Sequence, residues 1–259
     1  MTAIVGSVAV GLGAGVLAGM FGIGGGVLTT PAVRLLLGYP ALIAVGTPLL
    51  ALIPGALAGA ATHIRSGAAN TRTGLVVGAW GAVAALLGAQ GSAAAGGTAV
   101  MLVTAVVIVW GAIAVLRRPP APTVELGPPA APAVAAGPRP VVVALAGIVA
   151  GSYSGFLGLG GGVVLVPIFH RFFGYSMKES VATSLVSISV LAVPGAFAHW
   201  WLGHVDLVLA AGLGAGAIPG AVLGARLASL ASDRVLRIGF ALLLAAIGAI
   251  LAVTEIGAL

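Results

Sequence analysis

The stretch GMFGIGGGVLTTP, Gly19 to Pro31, sets five glycines and a proline inside an otherwise apolar run. A second version, GFLGLGGGVVLVP, occupies Gly155 to Pro167. Glycine and proline are the two poorest residues for a helix interior. The triplets Gly24 to Gly26 and Gly160 to Gly162 therefore predict a helix break at the same phrase in each half of the chain.

Sliding the sequence against itself by 136 positions superimposes the two phrases without a gap. The match continues well beyond them. Gly38-Tyr39 falls on Gly174-Tyr175, Val45 and Thr47 on Val181 and Thr183, Leu49 on Leu185, His63 on His199, and Gly88-Ala89 on Gly224-Ala225. Low complexity alone does not reproduce a tyrosine, a threonine and a histidine in register, so the sequence reads as an internal duplication. The copies are residues 1–116 and 141–259. Between them, residues 117–140 hold eight of the fifteen prolines and no apolar periodicity, which predicts an extended, water-exposed linker.

Hydrophobic residues make up 60% of the 259 positions and charged residues 6%, against roughly 25% charged in an ordinary soluble domain. Several runs reach the roughly 20 apolar residues that cross a hydrocarbon core of about 30 Å. The fold class expected is therefore an all-α polytopic membrane protein in contact with the lipid bilayer. The basic residues are scattered between apolar runs, with no stripe that nucleic acid would need. Cysteine is absent and the four histidines lack ligand spacing, so no thiolate or histidine metal site and no cofactor is expected. No Lys or Arg precedes Arg34, so the first apolar run lacks the basic start of a signal peptide and is expected to be retained.

Each half parses alike: a glycine-containing segment at about 3–37 or 141–173, then apolar runs at 42–61, 73–91 and 97–116, echoed at 179–201, 206–228 and 235–254. A continuous helix of about 35 residues would be about 52 Å long, too long for one crossing. Basic residues decide how it breaks, because Lys and Arg at helix ends stay mainly cytoplasmic. If each glycine segment doubles back, giving five passages per half with the linker inside, Arg65, Arg72, Arg117, Arg118, Arg139, Arg171, Lys178, Arg226, Arg234 and Arg237 all lie at cytoplasmic ends and only Arg34 lies outside. Single crossings would divide them five against six. The expected architecture is thus two inverted homologous repeats, each a glycine-broken helical hairpin plus three transmembrane helices, making 5+5 passages of which eight are long. Trp200 and Trp201 then suit the outer interface.

In each hairpin the second arm, Gly24 to Leu37 or Gly160 to Phe173, is too short to span and reads as a half-helix starting near mid-membrane. Its first backbone N–H groups and partial positive charge would be bare of side chains, a ready anion site. Gly11, Gly15 and Gly19, with Gly147, Gly151 and Gly155, read instead as small-xxx-small packing series. Packing alone is the competing explanation of the triplets as well.

The duplicated GxGGG with proline five residues later, the Gly-Tyr step, and AVGTPL or SVATSL together resemble the sulfite exporter TauE/SafE family, also known as the 4-toluene sulfonate uptake permease family. The resemblance spans the chain outside the linker. It implies a multi-pass transporter of the bacterial or archaeal plasma membrane, not an enzyme, moving sulfur-containing anions such as sulfite, thiosulfate, sulfoacetate or other organosulfonates; protons are a candidate further partner, should transport use the proton gradient. The substrate-binding candidates it adds to Gly24, Gly25, Gly26, Gly160, Gly161 and Gly162 are Thr47, Thr183 and Ser184, whose hydroxyls would donate to an oxyanion. Pro48 stands where the family pattern often has serine, which weakens the first-half site. Ser152, Tyr153 and Ser154 face Val16, Leu17 and Ala18 in the other copy, so polarity, and with it the substrate, is expected to lean to the second half. Serines in membrane helices also commonly bond their own backbone.

His63 and His199 are expected at the interface, and Arg34 is expected to snorkel beside its counterpart position, His170. No carboxylate lies mid-span, so a buried carboxylate proton relay is not expected; proton coupling would turn on a protonated anion or on Glu179, His199 or Tyr153. Two other readings stand beside the carrier. An anion channel would use the same helix ends. An intramembrane hydrolase would use Ser154 with His199 or His204, but GSYSGF centres Tyr153, not serine, and fails the nucleophile-elbow pattern.

Overall fold

The computed structural model describes residues 2–95, 97–116 and 139–256. These residues form ten helices and no strand: α1 (Thr2–Phe21), α2 (Gly26–Leu35), α3 (Ala41–Arg65), α4 (Thr71–Ala95), α5 (Gly97–Leu116), α6 (Pro140–Leu157), α7 (Gly162–Phe172), α8 (Met177–Trp201), α9 (Leu207–Leu230) and α10 (Asp233–Ile256). The 136-residue spacing of the sequence reappears in the helix starts, since Gly162, Met177, Leu207 and Asp233 each follow Gly26, Ala41, Thr71 and Gly97 by that distance. Except for Arg139 and Pro140, the linker expected at 117–140 lies outside the described residues. Pro140 itself opens α6, where its missing N–H costs the helix nothing.

Five helices, α3, α4, α6, α8 and α9, are long and apolar enough to cross a membrane by length and composition. Their outward faces are apolar: Leu57, Val83, Leu87, Leu145, Val193, Leu223 and Leu230 are all exposed. In water such a surface would be an aggregation liability, whereas lipid tails solvate it. Trp200 and Trp201 are exposed too, next to the loop that follows α8.

Packing between helices is set by the glycine series. A Cβ on Gly15 would stand 2.5 Å from Ala217 O, and Gly11 and Gly19 lie just as close to the backbone at Leu213 and Ala221, so α1 packs directly on α9. The second half repeats the pattern, with Gly147, Gly151 and Gly155 of α6 on the backbone of α4 around Val77, Gly81 and Ala85. These are the packing residues the small-xxx-small spacing predicts.

At the centre α3 packs on α8, the equivalent helix of the other half. Two hydrogen bonds fix their relative direction. The Asn70 N–H, just beyond the end of α3, donates to Thr183 Oγ1 near the start of α8 at 3.0 Å, and the Asp206 N–H, beyond the end of α8, donates to Thr47 Oγ1 near the start of α3 at 3.0 Å. The two helices therefore run antiparallel.

Candidate functional site

Each glycine phrase ends its helix as the sequence predicts. In the first, Gly22, Gly24 and Gly25 adopt positive φ (69°, 80° and 74°); in the second, Gly158, Gly160 and Gly161 do so at 69°, 79° and 79°. Side chains rarely tolerate that backbone, and glycine does so freely. The turns send the chain back on itself. A continuous helix would separate residues 14 and 25 by about 16 Å, yet a Cβ on Gly25 would lie 3.5 Å from Ala14 O and 3.4 Å from Ala18 Cβ. Gly161 lies likewise against Ala150.

The new helices, α2 and α7, are 10 and 11 residues long and begin at Gly26 and Gly162. Each N-cap is a glycine, and no side-chain oxygen caps either end. The first helical acceptors in use are Gly25 O, taken by the N–H groups of Leu28 and Thr29, and Gly161 O, taken by those of Val164 and Leu165. The amides ahead of them have no carbonyl a turn back, and carry the positive end of the helix dipole into a fully buried place.

The two breaks meet. A Cβ built on Gly24 would be 3.5 Å from the Gly160 Cα, and one built on Gly160 would be 3.6 Å from the Gly24 Cα. On either side Gly26 packs against Leu159 and Gly162 against Ile23, whose side chains are wholly buried. The centre is thus shut. Beside Gly24 lies a cavity of about 10 Å³, lined by Thr29, Pro48, Leu52, Gly55 and small residues of α1 and α9, which is about the space of one water molecule.

The hydroxyls expected to line the site divide into two groups. Thr47 and Thr183 are buried, and each accepts the N-cap amide of a helix in the other half, so they fasten the halves together. Ser184 does reach a glycine phrase: its Oγ donates to Gly22 O at 2.7 Å, sharing the proton with Val181 O at 2.8 Å. The second-half serine therefore supports the first-half break, and Pro48, its counterpart, lines the cavity.

Ser152 turns to a surface groove beside Gly88 and Phe156 instead of the breaks. Tyr153 and Ser154 are buried with hydroxyls that have no hydrogen-bond partner. The cavity at the breaks touches Gly24 and Thr29 of the first half and Leu213, Ala217 and Ala221 of the second.

Thr29 and Thr30 are the residues that reading the sequence missed. Thr29 Oγ1 donates to Gly25 O at 3.1 Å, and Thr30 Oγ1 is buried without a partner. The signal was available: TTP follows the first triplet where LVP follows the second.

The histidines expected at the interface lie inside. His63 and His199 are 3% and 0% exposed, and their Nε2 atoms donate to the carbonyls of Gly19 (3.0 Å) and Gly155 (2.7 Å), the first glycines of the two phrases. Arg34 Nη1 donates to Tyr39 O at 3.4 Å, and His170 Nδ1 to Tyr175 O at 2.9 Å, so this equivalent pair ties down equivalent loops. Among the described residues no group of three His, Cys, Asp or Glu gathers to hold a metal.

A family model described as sulfite exporter TauE/SafE matches residues 7–251, nearly the whole chain and both glycine phrases. The chain belongs to the TauE/SafE family. Among curated proteins it is similar to "Probable membrane transporter protein YdhB" of Bacillus subtilis, 29% identical over 223 residues that cover 86% of this chain and 89% of the relative. It is also similar to "Probable membrane transporter protein YunE" of the same organism, 25% identical over 240 residues covering 85% of each. No solved structure gives a significant match. With these relatives and its apolar exterior, this TauE/SafE protein is a multi-pass membrane transporter.

Proposed function

We propose that the protein is a secondary transporter of small sulfur-containing anions, such as sulfite, thiosulfate or organosulfonates, across the plasma membrane, without enzymatic activity. The observation that carries this reading is the meeting of Gly24 and Gly160, which brings two uncapped helix N-termini to one buried point. Uncapped amides hydrogen-bond an oxyanion at close range, and two opposed dipoles add about half a positive charge each. That arrangement solvates an anion without a buried lysine or arginine, whose own desolvation would be costly.

The two repeats are inverted, with the linker cytoplasmic. This is supported by the antiparallel α3 and α8 and by the collection of nearly all basic residues at one set of helix ends. The packed centre suits a carrier, which must occlude its substrate between openings, better than a channel. Purified protein in liposomes tests the reading against sulfite, thiosulfate, sulfate, sulfoacetate and taurine. Saturable counter-exchange of at least one sulfur anion is expected; indifference to all of them, with uptake of a cation, overturns the substrate class.

A further inference from the structure

His199 and His204 form a pair that the first half lacks, since the position equivalent to His204 is Ala68. His199 Nε2 faces Gly155 O at 2.7 Å. A carbonyl only accepts, so Nε2 carries the hydrogen and Nδ1 of the neutral ring is an acceptor. That Nδ1 meets His204 Nδ1 at 3.3 Å, so His204 Nδ1 is the donor and one hydrogen lies between the rings.

The proton count follows from this tautomer. A first added proton goes to His204 Nε2, and the bond between the rings survives as a charge-assisted one. A second would put N–H groups on both facing Nδ1 atoms and force the rings apart. We infer that the His199–His204 pair is a binding site for a single proton, coupling proton movement to the anion cycle.

The placement suits coupling. His199 grips the carbonyl of Gly155, three residues before the first positive-φ glycine of the second break. The backbone of His204 packs on Gly46 of α3, and its loop is tied to α3 by the bond from Asp206 N–H to Thr47 Oγ1. The charged residue nearest to His204 along the chain is Asp206, whose carboxylate favours an added proton. Asp206 shares the loop and accepts from the Leu209 N–H through Oδ1. The Tyr153 hydroxyl lies on α6 two residues from Gly155, and Arg34 closes α2 near the start of α3. Other charged residues of the packed helices, Arg65, Arg72, Arg139 and Arg226, stand at the opposite ends of α3, α4, α6 and α9. Burial holds the His204 imidazole below its ordinary value, so the site empties readily at neutral pH. An anion at the breaks would favour the protonated pair, and by linkage the proton would favour the anion.

The proton site rests on geometry alone; its coupling role rests on the transport reading, and two measurements separate them. Nitrogen-15 histidine NMR of the full chain in lipid nanodiscs, without substrate, reads the pair directly. His199 should keep its Nε2–H form while its shifts follow the titration of His204, and His204→Ala should abolish that response, leaving His63 unchanged. Independent titration of the two rings, or a His199 response that survives His204→Ala, overturns the site. In liposomes, anion flux should change up to about tenfold per pH unit as one-proton linkage requires, and become flat in His204→Ala. Wild-type flux that is flat with pH overturns coupling, while absence of any anion flux overturns the transport reading and leaves the NMR result to decide the site.

Discussion

At the scale of single residues, the account turns on glycines that have no room for a methyl group. A Cβ on Gly26 would stand 2.6 Å from Gly158 O and 2.7 Å from the Leu159 Cα, and one on Gly162 would stand 2.6 Å from the Ile23 Cα. These neighbours are backbone and yield only if the breaks separate. Gly26→Ala and Gly162→Ala should each destabilise the fold by about 1–3 kcal/mol and reduce anion exchange at least tenfold, whereas Gly13→Ala, inside α1 with nothing within 4 Å, should leave exchange unchanged and the fold no less stable. Thermal unfolding in detergent together with flux checks this. Ser184→Ala removes the donor to Gly22 O and leaves a buried carbonyl short of a partner, a loss of about 1–3 kcal/mol readable in the same melt. A wild-type melting temperature in Ser184→Ala would show that this hydroxyl does not hold the break.

At the scale of helices, the threonines show what the sequence could and could not disclose. Their equivalence, 136 positions apart, was legible, and so were the two glycine breaks and the helices on either side, because glycine spacing and apolar run length act locally. Their partners were not legible. Thr47 bonds to a residue 159 positions away and Thr183 to one 113 away, and such pairings exist only once the halves interlock. The same holds for His63 and His199, which the ends of apolar runs suggested were interfacial until α1 and α6 supplied carbonyls to bury them against. Thr47→Val and Thr183→Val should therefore each cost about 1 kcal/mol of stability while changing the apparent affinity for the transported anion by less than about twofold. A large affinity loss with an unchanged melting temperature would return these hydroxyls to the substrate site.

At the scale of the whole molecule, the account requires equivalent loops to lie on opposite faces of the membrane and the two breaks to share one ligand. The chain contains no cysteine, so introduced ones report alone. Ser66→Cys, in the loop after α3, should be labelled by an impermeant maleimide only from the cytoplasmic side, and Trp201→Cys, before the equivalent loop, only from outside; labelling of both from one side would remove the inverted arrangement. At the packed centre Gly24 and Gly160 meet through bare backbone, with no side chain between the two breaks. The most direct test is nitrogen-15 glycine NMR of the protein in nanodiscs, titrated with the sulfur anion that exchanges best. The amides of Gly24 to Gly26 and Gly160 to Gly162 should shift together and saturate with one affinity, while Gly13 and Gly38 stay fixed; saturation of binding with the six central amides unmoved would contradict the account.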